Sequence, residues 1–140
     1  MIVLDTNVIS ELQKAAPDGA VASWFASVGI ENVFLCVPVL MEQSFGAERF
    51  FLRTKSSRYL DILEGATREF ADRMLVLDGG SSRLAGTIRA RLERAGRQMS
   101  IGDAMIAAIC IAHGATLATR NVRDFDGLDL KLVNPFEPMI

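Results

Sequence analysis

Residues 1–10 read MIVLDTNVIS, and this stretch sets a lone acid directly after a short apolar run. Residues 2–4 are β-rich and apolar, which is typical of a buried strand. Residues 5–7 are all types that favour the start of a helix. Asp5 is the only charged residue among these ten. The stretch therefore predicts a strand, a turn into a helix, and a carboxylate at the junction.

Two further acids stand alone in long uncharged surroundings. Glu42 is the only charged residue from 32 to 47, and Asp103 is the only one from 98 to 119. An ionised carboxylate is rarely left in apolar surroundings unless it is paired or binds a metal, because losing its water is costly. No lysine or arginine lies in any of the three stretches. The three acids therefore indicate a shared partner, and a divalent cation is the simplest candidate.

The rest of the chain alternates short apolar runs with helical patterns. Continuous apolar runs between helices are typical of a parallel sheet that is covered on both faces. We therefore predict an α/β fold, a three-layer α/β/α domain with a central parallel sheet of four to five strands. The 140 residues contain no linker or repeat and suit one domain over residues 1–140. The predicted strands cover 2–4, 33–37, 74–77 and 116–119, with 130–133 as the candidate fifth strand. The predicted helices cover 20–28, 38–52, 56–72, 81–95 and 100–113.

The three acids are expected to meet at one edge of this sheet, because ligands of open α/β sheets bind at the carboxyl ends of the strands. Asp5 follows the first strand, Glu42 lies one turn into the helix after the second, and Asp103 lies in the first turn of a helix leading into the fourth. Each acid also has a structural alternative. Asp5 suits a helix cap, Glu42 suits the positive end of its helix, and Asp103 forms a capping-box pattern with Ser100.

Clustered carboxylates are chemically suited to Mg²⁺ or Mn²⁺, which prefer oxygen ligands. Such a cation can polarise a phosphodiester and lower the pKa of a bound water. Cys36 and Cys110 fall in apolar runs and are interpreted as buried thiols, so no zinc spacing is present. His113, on an apolar helix, is interpreted as a packed residue.

Charge gives no argument for nucleic-acid binding in bulk, because fifteen basic and seventeen acidic residues leave a net charge of −2. The bases are clustered, however, and one cluster is residues 49–58. Taken singly, each cluster is interpreted as a solvated helix face, and it indicates nucleic-acid binding only if it lies beside the acids. The longest apolar run, within 104–112, is too short to span a bilayer. With no basic segment before the N-terminal apolar residues and no disulfide pattern, we expect a cytoplasmic location and no membrane partner.

Several segments together resemble the PIN domain, specifically the VapC/FitB-type toxin group. They are residues 1–10, residues 101–108 (IGDAMIAA), residues 117–125 (LATRNVRDF) and residues 133–136 (VNPF). Glu42, after a strand and Pro38, is similar to the second acid of that family. The resemblance covers the whole chain in order, and its first and third motifs are specific together.

The resemblance implies a metal-dependent endoribonuclease that is the toxin of a type II toxin–antitoxin pair. It also implies an RNA substrate, Mg²⁺ or Mn²⁺ as cofactor, a homodimer, and a cognate small antitoxin that blocks the active site. By position, Asp5, Glu42 and Asp103 become the catalytic, metal-binding acids. Thr6 is expected to contact water on the metal, and Asn7 is expected to orient Asp5.

The chain departs from the family pattern at one position. Many members carry a fourth acid where this chain has Asn121, whose amide oxygen can ligate a cation but adds no charge. Asp124, three residues later, is a candidate to supply the missing carboxylate, and a simple loop acid is the alternative. Arg120, Arg123 and Arg97 are expected to position the RNA backbone, which gives affinity and little sequence choice.

Two other functions compete with this reading of the sequence. The first is an RNA- or antitoxin-binding PIN relic in which Asn121 has weakened catalysis. The second is a receiver-like signalling domain with Asp5 as phospho-acceptor, which would also need acids near the first strand and a lysine late in the chain. Only Lys131 is available for that role. Metal binding with RNA cleavage, or RNA binding without cleavage, separates the enzyme from the relic.

Overall fold

A computed structural model describes residues 1–138, so positions 139 and 140 of the predicted domain lie outside the described residues. The chain alternates strands and helices through most of its length, as the sequence pattern predicts. Two short 3₁₀ segments, Ile30–Asn32 and Val122–Phe125, were not anticipated. The strands are β1 (Ile2–Leu4), β2 (Val33–Cys36), β3 (Met74–Leu75), β4 (Thr116–Ala118) and β5 (Lys131–Val133), and the helices are α1 (Thr6–Leu12), α2 (Gly19–Val28), α3 (Val37–Thr54), α4 (Arg58–Glu69), α5 (Gly79–Arg94) and α6 (Ile101–His113).

The five strands form one parallel sheet in the order β3-β2-β1-β4-β5. The chain builds outward from β1 through β2 to β3 and then crosses to the other side of β1 for β4 and β5. Such a reversal of strand order opens a crevice at the carboxyl ends of the two strands that flank it. Here these are β1 and β4, which are paired in register from Ile2 opposite Thr116 to Leu4 opposite Ala118. Asp5 and Thr119 are the residues that follow them.

Both faces of the sheet are covered by helices. Consecutive residues of a strand point to opposite faces, so a strand is buried on both sides only where two neighbours are both inaccessible. Val3 and Leu4 in β1 meet this condition, as do Leu117 and Ala118 in β4. The predicted three-layer α/β fold with a parallel sheet is therefore confirmed, and the uncertain fifth strand is present as β5.

Local capping explains where the observed elements depart from the predicted ones. The predicted helix over 81–95 begins two residues earlier, at Gly79, because the Asp78 carboxylate accepts from the Ser81 backbone N–H at 2.8 Å and the Ser81 hydroxyl accepts from the Asp78 N–H at 3.0 Å. The predicted third strand shrinks to Met74–Leu75, an edge strand. Val37 opens α3 rather than ending β2, and Pro38 lies in the first turn of this helix, as predicted.

Helix α6 brings the third acid to the sheet edge. Its buried face is built of small residues, with Ala104, Ala107 and Ala108 fully buried, so the helix backbone approaches its neighbours closely. Ser100 caps its first turn by accepting from the Asp103 backbone N–H at 3.1 Å. Gly114 ends it with a left-handed φ of 63°, which a residue with a side chain adopts only with strain.

Two minor expectations have different outcomes. Cys36 and Cys110 are buried free thiols, as expected. His113 is exposed at the last position of α6, so its interpretation as a packed residue is wrong. Among residues 1–138, no helix combines the length and the apolar character that crossing a membrane requires.

Candidate active site

Asp5 is held in one orientation by three hydrogen bonds at the carboxyl end of β1. Its backbone N–H continues the sheet by donating to the Ala118 carbonyl at 2.9 Å. Its Oδ1 accepts from the Thr6 backbone N–H at 2.8 Å, and its Oδ2 accepts from the Thr119 hydroxyl at 2.7 Å. Only 5% of Asp5 is exposed. Asp5 is therefore the cap of α1 and also a buried carboxylate aimed by the residues around it.

Thr119 is a functional residue that the sequence argument did not identify. It is fully buried, directly after β4, and its hydroxyl is the centre of a small polar network. That oxygen donates to Asp5 and accepts from the Asn121 backbone N–H at 3.0 Å and from the Asn7 side-chain amide at 3.4 Å. The signal was present in the sequence, because a hydroxyl at the end of a buried strand needs a polar partner.

Asn7 acts on Asp5 through Thr119, where direct orientation had been expected. Its amide nitrogen donates to the Thr119 hydroxyl, and its Oδ1 accepts from the Arg120 backbone N–H at 3.1 Å. Asn7 therefore ties the start of α1 to the segment after β4. This contact fixes the two sides of the crevice relative to each other.

Glu42 reaches the same edge from α3. Its Oε2 accepts from the Thr6 hydroxyl at 2.7 Å, across 36 residues of sequence. Its Oε1 lies against the first turn of α6, where a Cβ added to Gly102 would be 3.1 Å from it. A side chain at position 102 would thus crowd the carboxylate. Glu42 therefore lies between Thr6, the residue after Asp5, and Gly102, the residue before Asp103.

Asp103 is the half-buried acid whose surroundings oppose its ionisation. Burial raises the pKa of its carboxyl above the ordinary value, and the negative charges of Asp5, Asp124 and Glu42 raise it further, against a hydrogen bond from Ser100 that lowers it. These Coulombic effects require the four carboxylates to share one region of the protein. Asp5, Glu42 and Asp124 therefore lie near enough to Asp103 to affect its ionisation.

Asp124 and Asn121 were the two candidates for a fourth ligand. Asp124 lies in the 3₁₀ segment after β4, is exposed, and adds to the field that raises the pKa of Asp103. Asn121 is exposed and contributes its backbone N–H to Thr119. Of the two, Asp124 is the one whose charge reaches the other acids.

No base neutralises the principal acids in the described part of the chain. Within residues 1–138, the ion pairs between basic and acidic side chains involve neither Asp5 nor Glu42 nor Asp103. Their side-chain partners are neutral hydroxyl groups from Thr6, Thr119 and Ser100. Neutral donors orient a carboxylate and leave its charge in place.

A hard divalent cation fits this donor chemistry, since all the candidate ligands are oxygen atoms. The fit is one of chemistry rather than of a finished coordination shell. Within residues 1–138, no three His, Cys, Asp or Glu side chains are already gathered closely enough to hold a metal ion. The nearby thiol is unsuited, because burial raises the pKa of Cys36 to about 12, with Asp5 and Glu42 adding to the shift.

The three candidate RNA-positioning arginines have different surroundings. The Arg97 guanidinium donates to the Asp126 and Arg123 carbonyls, the latter at 3.4 Å, so it braces the loop after β4. The Arg120 Cζ lies 3.7 Å from the centre of the Phe136 ring, a cation–π contact. Arg120 and Arg123 are exposed and lie between Thr119 and Asp124 in the sequence. Arg97 therefore supports the loop that carries Arg123.

Comparison with known proteins identifies the fold family. The PIN domain profile matches residues 2–130. This chain belongs to the PIN domain family. The resemblance drawn from the motifs in residues 1–10 and 101–108 is thereby confirmed.

Relatives of this PIN domain align over nearly its whole length. It is 37% identical over 139 residues to VapC ribonuclease Y4jK of Sinorhizobium fredii, which covers 99% of each chain. It is 31% identical over 137 residues to the toxin FitB of Neisseria gonorrhoeae, covering 97% of this chain and 99% of that one. The solved structure of FitAB bound to an IR36 DNA fragment superposes with a TM-score of 0.87 and 29% identity, covering 100% and 99% of the chains.

The first prediction concerns the buried hydroxyl of Thr119. Thr119→Val keeps the shape of the side chain but removes the donor to Asp5 and the acceptor for Asn121. We expect the free energy of unfolding, measured in urea, to fall by about 1–3 kcal/mol, because the substitution leaves buried polar groups without a hydrogen-bond partner. Thr119→Ser retains the hydroxyl and is the matched control. Equal stability of the valine variant and wild type would contradict the role given to Thr119.

The second prediction concerns the electrostatic strain at Asp103. Its carboxyl has a raised pKa, so the folded state binds the proton more tightly than the unfolded state and, without metal, loses stability as pH rises through that pKa. Asp103→Asn should therefore raise the Tm in EDTA at pH 7, with a smaller gain at lower pH. Asp129→Asn, at an exposed acid, should change stability by no more than about 0.5 kcal/mol. A lower Tm for Asp103→Asn would contradict the electrostatic account.

Proposed function

We propose that this PIN domain is an endoribonuclease that depends on Mg²⁺ or Mn²⁺ and is the toxin of a type II toxin–antitoxin pair. The observation that carries the proposal is the gathering of acids around Asp103. Burial and the charges of three other carboxylates raise its pKa, and no base pairs with Asp5, Glu42 or Asp103 within residues 1–138. Such a cluster is unfavourable alone and becomes favourable when a divalent cation binds.

The relatives support the biological setting of the proposal. One is a VapC ribonuclease and another is the toxin FitB, and both align with almost all of this chain. A chain that cuts RNA inside its own cell has to be restrained, so a small cognate antitoxin is the expected partner. The same resemblance supports a homodimer, a location in the cytoplasm and a single domain over residues 1–140.

The acids divide the work of holding the cation. Asp5, Glu42 and Asp103 are the proposed metal ligands, and Asp124 is the proposed fourth acid. When bound, the cation would polarise the scissile phosphodiester, activate water and stabilise the developing negative charge. Thr119 and Thr6 keep the Asp5 and Glu42 carboxylates aimed at the crevice through bonds of 2.7 Å each. Their roles are to position the ligands.

The arginines after β4 are proposed to bind the RNA backbone. Arg120 and Arg123 are exposed in the segment between Thr119 and Asp124, and guanidinium groups bind phosphates through charge-assisted hydrogen bonds. Arg97 acts indirectly, by fixing the carbonyls of the loop that carries Arg123. No observation within residues 1–138 favours the catalytically weak relic over the enzyme, since Asp124 contributes its charge near the other acids.

The third prediction tests the acids by cleavage. Asp5→Asn and Asp103→Asn should each reduce RNA cleavage in Mg²⁺ or Mn²⁺ by about 100-fold or more, because each removes a charge that stabilises the reaction. Asp129→Asn is the matched control and should cleave as wild type does. EDTA should abolish wild-type cleavage, and Mn²⁺ should restore it. Wild-type rates in either acid variant, or cleavage that persists in EDTA, would refute the assignment.

The fourth prediction tests the hydroxyl that orients Glu42. Thr6→Val removes the donor to Glu42 while keeping the Thr6 backbone bond to Asp5. We expect Mn²⁺ affinity, measured by calorimetry, or cleavage to fall by about 10- to 100-fold, as is usual when a group that orients a metal ligand is lost. Thr6→Ser should retain both. If the serine variant lost as much as the valine variant, the hydrogen bond would not be the cause.

A further inference from the structure

A cleft of about 870 Å³ lies between α1, α3 and α4 and includes residues of the candidate active site. Thr6 and Glu42 form part of its lining, so the cleft is continuous with the acid edge of the sheet. Arg49 and Arg53 also line it, and they belong to the basic cluster of residues 49–58. That cluster indicates nucleic-acid binding only if it lies beside the acids, and Arg49 and Arg53 share the cleft with Glu42.

The cleft presents aromatic surface to solvent. Phe45 is 61% exposed, so much of its ring faces solvent. Phe50 and Tyr59 also line the cleft and contact each other edge to face, with ring centres 4.9 Å apart and planes at 84°. This geometry is a preferred aromatic arrangement and keeps both rings in place.

The two arginines that line the cleft, Arg49 and Arg53, each contact an aromatic ring rather than an acid. The Arg49 Cζ lies 4.9 Å from the centre of the Phe45 ring, and the Arg53 Cζ lies 5.6 Å from the centre of the Phe50 ring. Within residues 1–138, neither guanidinium takes part in an ion pair. The cleft thus combines exposed ring faces with cations whose charge is not neutralised, which is the pairing that single-stranded nucleic acids bind.

We propose that this cleft is a subsite for unpaired nucleotides flanking the cleaved bond, with bases stacked on Phe45 and Tyr59 and phosphates bound by Arg49 and Arg53. The inference rests on the proposed function, because it assumes that RNA is the substrate. A strand whose phosphodiester lies at Glu42 has to continue past the acids, and the cleft is continuous with that point. Unpaired bases are the parts of RNA that stack on aromatic side chains.

A protein segment is the competing occupant of the same cleft. RNA is favoured by two features of the lining. The guanidinium groups of Arg49 and Arg53 are positioned beside rings, where a phosphate and its base can be contacted together. The cleft also shares Glu42 with the candidate active site, so a bound RNA strand and the reacting phosphate occupy one continuous surface.

The test is direct RNA binding without cleavage. Fluorescence anisotropy in EDTA measures the affinity of the full chain for a labelled hexa-adenylate and for an abasic ribose-phosphate chain of the same length. Phe45→Ala should weaken hexa-adenylate binding by about ten-fold, the effect of losing one stacked base, and leave the abasic chain unaffected. Phe45→Tyr should bind as wild type does. Leu52→Ala is the matched control, because Leu52 is also 61% exposed on α3 but lies outside the cleft lining.

The phosphate contacts are tested separately. Arg49→Gln should weaken binding of both probes and reduce the slope of log affinity against log salt by about 0.7, the value for one phosphate on a single strand. Arg83→Gln, at an exposed arginine of α5 outside the cleft, should leave the slope unchanged.

Several outcomes overturn the subsite. Wild-type hexa-adenylate affinity in Phe45→Ala would do so, as would an equal loss in Leu52→Ala. Unchanged RNA affinity in Phe45→Ala, together with lost binding of the proposed antitoxin, would assign the cleft to a protein partner instead. These results are distinct from failure of the proposed function, in which wild type binds hexa-adenylate through Phe45 but shows no metal-dependent cleavage.

Discussion

The central constraint in this molecule is repulsion among carboxylates that have no basic partner within residues 1–138. Asp5, Glu42 and Asp103 come from three different parts of the chain, and Asp124 adds a fourth charge. Burial and like charges both oppose the ionisation of Asp103, so the folded protein carries an electrostatic cost at neutral pH when no cation is bound. The sheet fixes where this arrangement begins. Because strand order reverses between β1 and β4, the residues that follow these strands face one crevice.

Neutral hydroxyl groups orient the acidic side chains without neutralising their charge. Thr119 fixes Asp5, and Thr6 fixes Glu42, each through a bond of 2.7 Å. A lysine or arginine in either place would orient the carboxylate equally well but would also cancel the charge that a cation needs. Asn7 completes the arrangement by joining α1 to the segment after β4 through Thr119 and the Arg120 backbone. The polar network therefore fixes the orientation of the Asp5 and Glu42 carboxylates, and their negative charge remains available to a cation.

Much of the fold was readable from the sequence because its signals are local. Apolar runs such as residues 2–4 and 116–119 predict buried strands, and Ser100 and Gly114 mark the ends of α6. Less visible were features that depend on individual side-chain hydrogen bonds or on the place of a residue within its helix. The early start of α5 comes from reciprocal bonds between Asp78 and Ser81, and the exposure of His113 comes from its place at the end of α6. Periodicity alone does not report either one.

The candidate site was predictable in its acids but not in its supports. A lone charge in an apolar stretch is visible in the sequence, which is why Asp5, Glu42 and Asp103 could be chosen. The sequence indicates that the hydroxyl of Thr119 needs a polar partner, but only the pairing of β1 with β4 shows that this partner is Asp5, 114 residues away. Similarly, Arg97 looks like an RNA ligand in a basic cluster until its bonds to loop carbonyls are seen.

The most direct measurement is the position of manganese in crystals of the wild-type chain grown with Mn²⁺, located by anomalous scattering. The proposed site predicts a peak in the crevice, at the carboxylates of Asp5, Glu42 and Asp103. A map in which manganese is absent from this crevice, with Asp5 and Ser100 simply capping their helices and Asp103 protonated or turned away, would contradict it.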